Sequence, residues 1–239
     1  MTYDGYGTDT QIADGVQWAS DNGADVISMS LGGGEYVSYF DNAINYATSN
    51  GTTVIAATGN DDFGSISYPS RYDNCIAIGA MSPCNERKNF SSCDGENYWG
   101  SNYGNGLDFV APGVRIHSAT IGGYTSTFNG TSSACPHAAG VAGLIYSMAP
   151  TLSPDEVRSA MQTSSVDIGS SGKCIGAGGK GGGSSTVVSG AGGDGMGGYG
   201  HAGGGAGGDG SGDGDNLTFV QCTLPNGDVV EMTPEDCIA

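Results

Sequence analysis

Thr53-Val54-Ile55-Ala56-Ala57-Thr58-Gly59-Asn60 is the stretch on which the reading of this chain turns. Thr53 to Ala57 is an uninterrupted β-prone and apolar run closed by a glycine and an amide, as a strand covered on both faces requires. Upstream, Val37, Phe40, Ile44 and Ala47 are spaced for one face of a helix that stops at Asn50-Gly51, and Asp25 to Met29 reads as a short strand before it. Further back, Ile12, Val16 and Ala19, with Ala13 beside them, mark another helical face, capped by Thr8 or Asp9 and ended by Gly23. Downstream, Cys75-Ile76-Ala77-Ile78-Gly79 is a second buried-strand run. Strands separated by helices of this length predict right-handed crossovers and a mostly parallel sheet with helices on both faces, an α/β fold of three layers.

Between residues 84 and 130 the helical period disappears. Short strand candidates lie at Leu107 to Val110, Val114 to Ser118 and Tyr124 to Phe128. Helix returns from Thr131 to Ser147, small and apolar on nearly all sides, and again after the cap Ser153 and the first-turn Pro154, with Val157, Ala160 and Met161 inward. From 169 to 215 about half the residues are glycine; such a stretch buries too little to offset its ordering entropy and reads as a low-complexity linker, with polyglycine helices or calcium loops as alternatives. Beyond it, Leu217 to Gln221 and Val229 to Met232 flank Pro225-Asn226-Gly227-Asp228, a hairpin signal. The expected organisation is therefore 1–168 packed, 169–215 linker, and 216–239 a small hairpin module.

Charge narrows the partners. Seven Lys+Arg against 25 Asp+Glu give a formal charge of -18 over 239 residues, which repels nucleic acid and anionic membrane surfaces. No apolar run approaches the roughly 20 residues of a bilayer span, and no signal peptide is visible at the start. Seven cysteines leave at least one without an intrachain partner. Cys84 and Cys93 bracket a polar loop, and Cys222 and Cys237 bracket the C-terminal segment; both pairs are candidate disulfides, pointing to an oxidising compartment. Cys75 and Cys135 sit among small and apolar residues, as buried thiols do.

Two segments carry chemistry. In Asn129-Gly130-Thr131-Ser132-Ser133-Ala134-Cys135-Pro136-His137-Ala138-Ala139-Gly140, serines follow a glycine at the mouth of a helix, where free N–H groups and the helix dipole favour a developing negative charge. A nucleophilic serine profits from that, but Thr131 or Ser132 as a simple N-cap is the plainer alternative. In Ala56-Ala57-Thr58-Gly59-Asn60, a strand ends where ligands of open α/β sheets gather, and an Asn amide there is able to donate to an oxyanion; Gly-Asn is also an ordinary turn.

Together, in this order, and with Val26-Ile27-Ser28-Met29-Ser30-Leu31-Gly32-Gly33 upstream, these strings resemble the subtilisin-like serine proteases, the subtilases, over roughly residues 5 to 165. The resemblance implies a serine endopeptidase working through an acyl-enzyme, with Ser132 as nucleophile, and Asn60 with the Ser132 backbone N–H as oxyanion donors. It implies that Ser30, Leu31 and Gly32 pair with substrate backbone, and that Ala57, Thr58 and Gly59 wall the pocket for the side chain before the scissile bond. Asp108-Phe109-Val110-Ala111-Pro112-Gly113 and Ser101-Asn102-Tyr103-Gly104 match structural strings of the family. The resemblance further implies protein or peptide substrates, an extracellular location, no required cofactor, and structural calcium with no ligand set assigned.

The family order is Asp, then His, then Ser, and neither of the first two segments is present in this sequence. His137 matches the family's structural histidine, His117 falls in a strand candidate and His201 in the glycine tract. The expectation is an N-terminally truncated catalytic domain with an incomplete sheet, nearly inactive alone, whose Asp and His come from a missing N-terminal segment. A non-catalytic peptide- or surface-binding module is the rival, and a working role for the acidic glycine tract is a third reading.

Overall fold

The computed structural model describes residues 7–168, 186–187, 220–223 and 229–232. Two compact units divide the chain, Met1–Gly190 and Ala191–Ala239. In the first, the order is α1 (Asp9–Asp21), β1 (Val26–Met29), α2 (Ser38–Ser49), β2 (Thr53–Ala57), β3 (Cys75–Met81), β4 (Phe109–Pro112), β5 (Ile116–Thr120), β6 (Gly123–Phe128), α3 (Thr131–Met148), α4 (Pro154–Ser164), β7 (Val166–Asp167) and β8 (Thr186–Val187).

Six strands form one sheet in the order β1-β2-β3-β4-β8-β7. Pairing is parallel from β1 through β8, and β7 is antiparallel to β8. Strand β2 shows why its sequence is uniformly apolar. Val54 and Ala56 enter a core with Ala13, Val16, Phe40 and Ile44 of α1 and α2, while Ile55 and Ala57 enter another with Ala134, Ala138 and Ala142 of α3 and Met161 of α4. Every second residue thus serves a different helical layer, and the fold is three-layered α/β. The three α3 alanines are spaced by four and fully buried, so this helix lies close against the sheet. Strand β8 falls inside the glycine-rich stretch 169–215, and β5 with β6 makes a separate antiparallel ribbon.

Helix ends follow local chemistry. Thr8 caps α1 and Ser153 caps α4, each in a reciprocal capping box with the residue three positions on, Gln11 and Glu156. Cys84 and Cys93 are joined in a disulfide with Cα atoms 6.3 Å apart, while Cys75 and Cys135 are buried free thiols. In the second unit, β9 (Val220–Thr223) and β10 (Val229–Met232) pair antiparallel, with Val229 opposite Thr223. The Cys222 to Cys237 pairing, Cys174 and His201 lie outside the described residues. No described helix is long and apolar enough to cross a membrane.

Candidate active site

The C-terminal end of β2 and the N-terminal end of α3 meet at one point, and that meeting builds the site. Asn60 Oδ1 accepts from both the Thr131 N–H, at 2.8 Å, and the Thr131 hydroxyl, at 3.0 Å. The Gly59 N–H donates to Thr131 Oγ1 at 3.2 Å. Gly130 is the N-cap of α3, with φ at +117° and no side-chain capping bond. The cap alternative for Thr131 and Ser132 is therefore corrected: both lie inside the first turn. Glycine is required at 130 twice over, because φ is positive and because a Cβ would come within 3.3 Å of the Asn60 amide.

Ser132 is clasped to Ser30 from both sides. Its hydroxyl donates to the Ser30 carbonyl at 3.3 Å, and the Ser30 hydroxyl donates to the Ser132 carbonyl at 2.8 Å. The second bond exists because Pro136 stands four residues on: proline has no N–H, so the Ser132 carbonyl loses its ordinary helical donor, and Ser30 supplies one.

Ser30, Leu31, Gly32, Ala57, Gly59, Asn60 and Ser132 line one open cleft of about 360 Å³. Thr58 does not join them. It is fully buried, its N–H donating to Ile78 O at 3.1 Å and its hydroxyl to Asn102 O at 3.4 Å. Leu31, Gly32 and Gly33 also border a second cavity of about 210 Å³, walled on its far side by Ile12, Phe40 and Tyr68.

Several cleft residues escaped sequence reading. Thr131, Asp61 and Ser67 line it as well. Beneath them lies Asn102, 1% exposed, whose Oδ1 accepts from the N–H groups of Asp61 and Phe63 at 2.9 and 3.1 Å. Gly59 makes room for it: a Cβ there would collide with Asn102 Nδ2 and lie 2.8 Å from Ser67 Oγ, and φ is +102°. Two polar residues in adjoining turns, Asn60 and Asn102, were the available signal, because buried amides in loops commonly hold backbone donors.

Neither described histidine hydrogen-bonds Ser132. His137 Nδ1 donates to Ser133 O, one helical turn back, at 2.8 Å. His117 Nδ1 is bonded to Ser126 Oγ at 2.8 Å, and its ring stacks on Tyr124. Cys135, one turn along α3, is not an alternative nucleophile: burial pushes its thiol up, against hydrogen bonds from Ser28 and Ser30, and keeps it protonated at neutral pH. Among the described residues no three His, Cys, Asp or Glu side chains converge as a metal needs, so no residue is assigned to calcium.

The entrance to α3 is braced from the segment that follows the disulfide loop. Glu96 accepts from Trp99 Nε1 and Asn129 Nδ2 at 2.9 Å each, and from Arg115 Nε at 3.2 Å. Asn129 directly precedes Gly130, so the carboxylate fixes the chain where the helix begins.

The site is thus a serine in the first turn of α3, clasped to Ser30 by two hydrogen bonds and sharing one cleft with an oriented amide. The chain belongs to the Subtilase family, whose model matches residues 1–200. It is 41% identical to Subtilisin Savinase of Lederbergia lenta over 166 residues, 70% of this chain and 58% of that one. It is 41% identical to M-protease of Shouchella clausii (strain KSM-K16) over 165 residues, 69% of this chain and 41% of that one. Among solved structures it resembles a cold adapted subtilisin-like serine proteinase, with TM-score 0.65, 28% identity and coverage of 80% and 64% of the two chains. Sphericase gives TM-score 0.60 at 30% identity, covering 72% and 61%. The chain thus spans roughly two fifths to two thirds of the relatives it matches.

Proposed function

We propose that this chain carries the nucleophile half of a serine endopeptidase acting on proteins or peptides. The observation that supports it most is the Asn60–Thr131 junction, which sets an oriented amide beside Ser132 at the cleft. In the reaction, Ser132 Oγ attacks the scissile carbonyl carbon and passes its proton to a base. The resulting oxyanion accepts from Asn60 Nδ2, the end of the amide left over by Thr131, and from the Ser132 N–H. Collapse breaks the C–N bond, the amine leaves with the returned proton, and water hydrolyses the acyl-enzyme. Substrate backbone runs along Ser30-Leu31-Gly32, and the side chain before the scissile bond enters between Ala57 and Gly59.

The base and its orienting acid come from outside the described residues, in our reading from a preceding Asp- and His-bearing segment. A general base contributes about 10²- to 10⁴-fold, so the 239-residue chain alone is expected to turn over slowly. The Cys84–Cys93 disulfide supports an extracellular, oxidising location. Of the division 1–168, 169–215 and 216–239, the compositional break at the glycine tract is the support.

The test is fluorophosphonate labelling and fluorogenic-peptide hydrolysis by the chain, by Ser132→Ala and by Asn60→Ala. Labelling is expected to be slow in the parent and absent in Ser132→Ala, and Asn60→Ala to lower any hydrolysis by about 10²- to 10³-fold. Equal labelling of Ser132→Ala refutes the nucleophile. Rapid cleavage by the chain alone, lost in Ser132→Ala, refutes the external base. The second reading, a binding module without turnover, is favoured by the histidine geometry; it predicts saturable peptide binding with no labelling.

A further inference from the structure

Asparagine followed by glycine occurs five times, at Asn22, Asn50, Asn105, Asn129 and Asn226. The pair is chemically labile, because glycine puts no side chain in the way when its nitrogen turns back onto the asparagine amide. Asn226 lies outside the described residues, and the fold treats the other four differently. At Asn129 both reacting groups are engaged: Oδ1 accepts from the Arg115 N–H at 2.6 Å, Nδ2 donates to Glu96 Oε2 at 2.9 Å, and the Gly130 N–H donates to Gly113 O at 2.9 Å. Asn22 is held likewise, with Nδ2 donating to Trp18 O at 2.8 Å and the Gly23 N–H to Ser20 O at 3.0 Å. At Asn50 one guard stands, the Gly51 N–H donating to Thr48 O at 3.0 Å.

Asn105 has neither guard. It is exposed, and no hydrogen bond among the described residues engages its side chain or the Gly106 N–H. The pair forms the corner of a turn closed by the Leu107 N–H on Gly104 O at 3.3 Å, with φ of Gly106 at +92°, as a type II turn requires. Gly106 is packed and Asn105 open, so the amide is free to swing over a nitrogen whose N–H no protein group holds. We infer that Asn105 is a self-modifying site, at which the folded chain deamidates without an enzyme. The Gly106 nitrogen gives up its proton and attacks Asn105 Cγ, the bond from Cγ to the amide nitrogen breaks, and ammonia leaves. Solvent water then opens the cyclic imide at either carbonyl, giving aspartate or isoaspartate. The inference is independent of the proposed function. The isoaspartate product adds a main-chain carbon and a negative charge to a turn without slack: a Cβ on Gly104 would strike the Gly64 carbonyl, and Leu107 is buried. The same loop carries Asn102, which holds the Asp61 and Phe63 N–H groups beneath the cleft.

The experiment ages the full chain in mildly alkaline buffer, native and in guanidinium, and follows each Asn-Gly pair by proteolytic mapping and tandem mass spectrometry. In the native chain Asn105 is expected to convert about fivefold faster than Asn50 and about 30-fold faster than Asn22 and Asn129, because each guarding hydrogen bond has to open first. In guanidinium the four rates are expected to converge. Asn105→Gln, whose longer side chain closes the ring poorly, is expected to abolish isoaspartate in that peptide. Equal native rates at the four pairs, or an Asn22 or Asn129 rate above that of Asn105, overturns the inference. A spread that persists unchanged in guanidinium also overturns it, because the fold then plays no part, and so does isoaspartate that survives in the peptide of Asn105→Gln.

Discussion

Replacing Lys88 by methionine tests how the loop behind the cleft is held. Lys88 is fully buried, an unusual place for a lysine. Its three N–H donors meet three oxygens: Asp94 Oδ1 at 3.2 Å, Asn89 O at 2.9 Å, and Glu96 O. The Asp94 side chain is equally buried, and its Oδ2 has no hydrogen-bond partner, so Lys88 is the cation on which this carboxylate depends. Lys88→Met keeps the stem and removes the charge, leaving a buried carboxylate unpaired at a cost of about 3 to 5 kcal/mol. With a urea m-value of about 2 kcal/mol per M for a domain of this size, the midpoint is expected to fall by about 2 M. The double variant Lys88→Met/Asp94→Leu removes both charges and is expected to recover most of that fall, because an apolar pair of similar volume is often as stable as a buried ion pair. Urea denaturation followed by far-UV circular dichroism on the oxidised protein measures both. A fall below about 0.5 M for the single variant, or a double variant no better than the single, refutes the reasoning.

Two further outcomes concern the ends of α3. Burial pushes the Glu96 carboxyl up, but donors from Trp99, Asn129 and Arg115 outweigh it and hold the group below 4.5. A depressed folded value means the stabilisation is complete above the ordinary carboxylate range and is lost as pH falls through the folded value. Glu96→Gln is therefore expected to flatten the fall in Tm below about pH 4.5, and parallel acid slopes for the two proteins contradict this. At the other end, the Tyr146 hydroxyl bonds Thr53 Oγ1 at 2.8 Å and donates to Gly51 O at 3.1 Å. The single phenol proton goes to Gly51 O, so the buried Thr53 hydroxyl donates to Tyr146; Tyr146→Phe leaves that hydroxyl without its acceptor and is expected to cost about 1 to 2 kcal/mol in urea denaturation, and a neutral result means another group accepts from it.

What the sequence made legible was whatever rests on period and local chemistry. The β2 run, the Thr8 and Ser153 caps and the small-residue face of α3 follow from neighbours within a turn or two. The apolar run Cys75 to Gly79 is the larger part of β3, and the strand continues two residues beyond it to Met81. That glycine is there for space, since a Cβ would lie 2.8 Å from Ser101 Oγ, a residue 22 positions away. Of the expected catalytic and substrate-binding residues, the cleft gathers all but Thr58. The missed residues, Asp61 and Lys88, look like ordinary loop residues until the fold sets Asn102 beneath the first and buries the second, and no local period encodes either placement.

The mutual bonds of Ser30 and Ser132 join positions 102 residues apart. Closing so long a loop is entropically unfavourable until the intervening elements have packed. The proposed nucleophile and the edge proposed to receive substrate are thus expected to come into register only after those elements have packed. A newly made chain that is still open, and so most vulnerable to cleavage, holds Ser132 and Ser30 apart, with the proposed cleft not yet assembled.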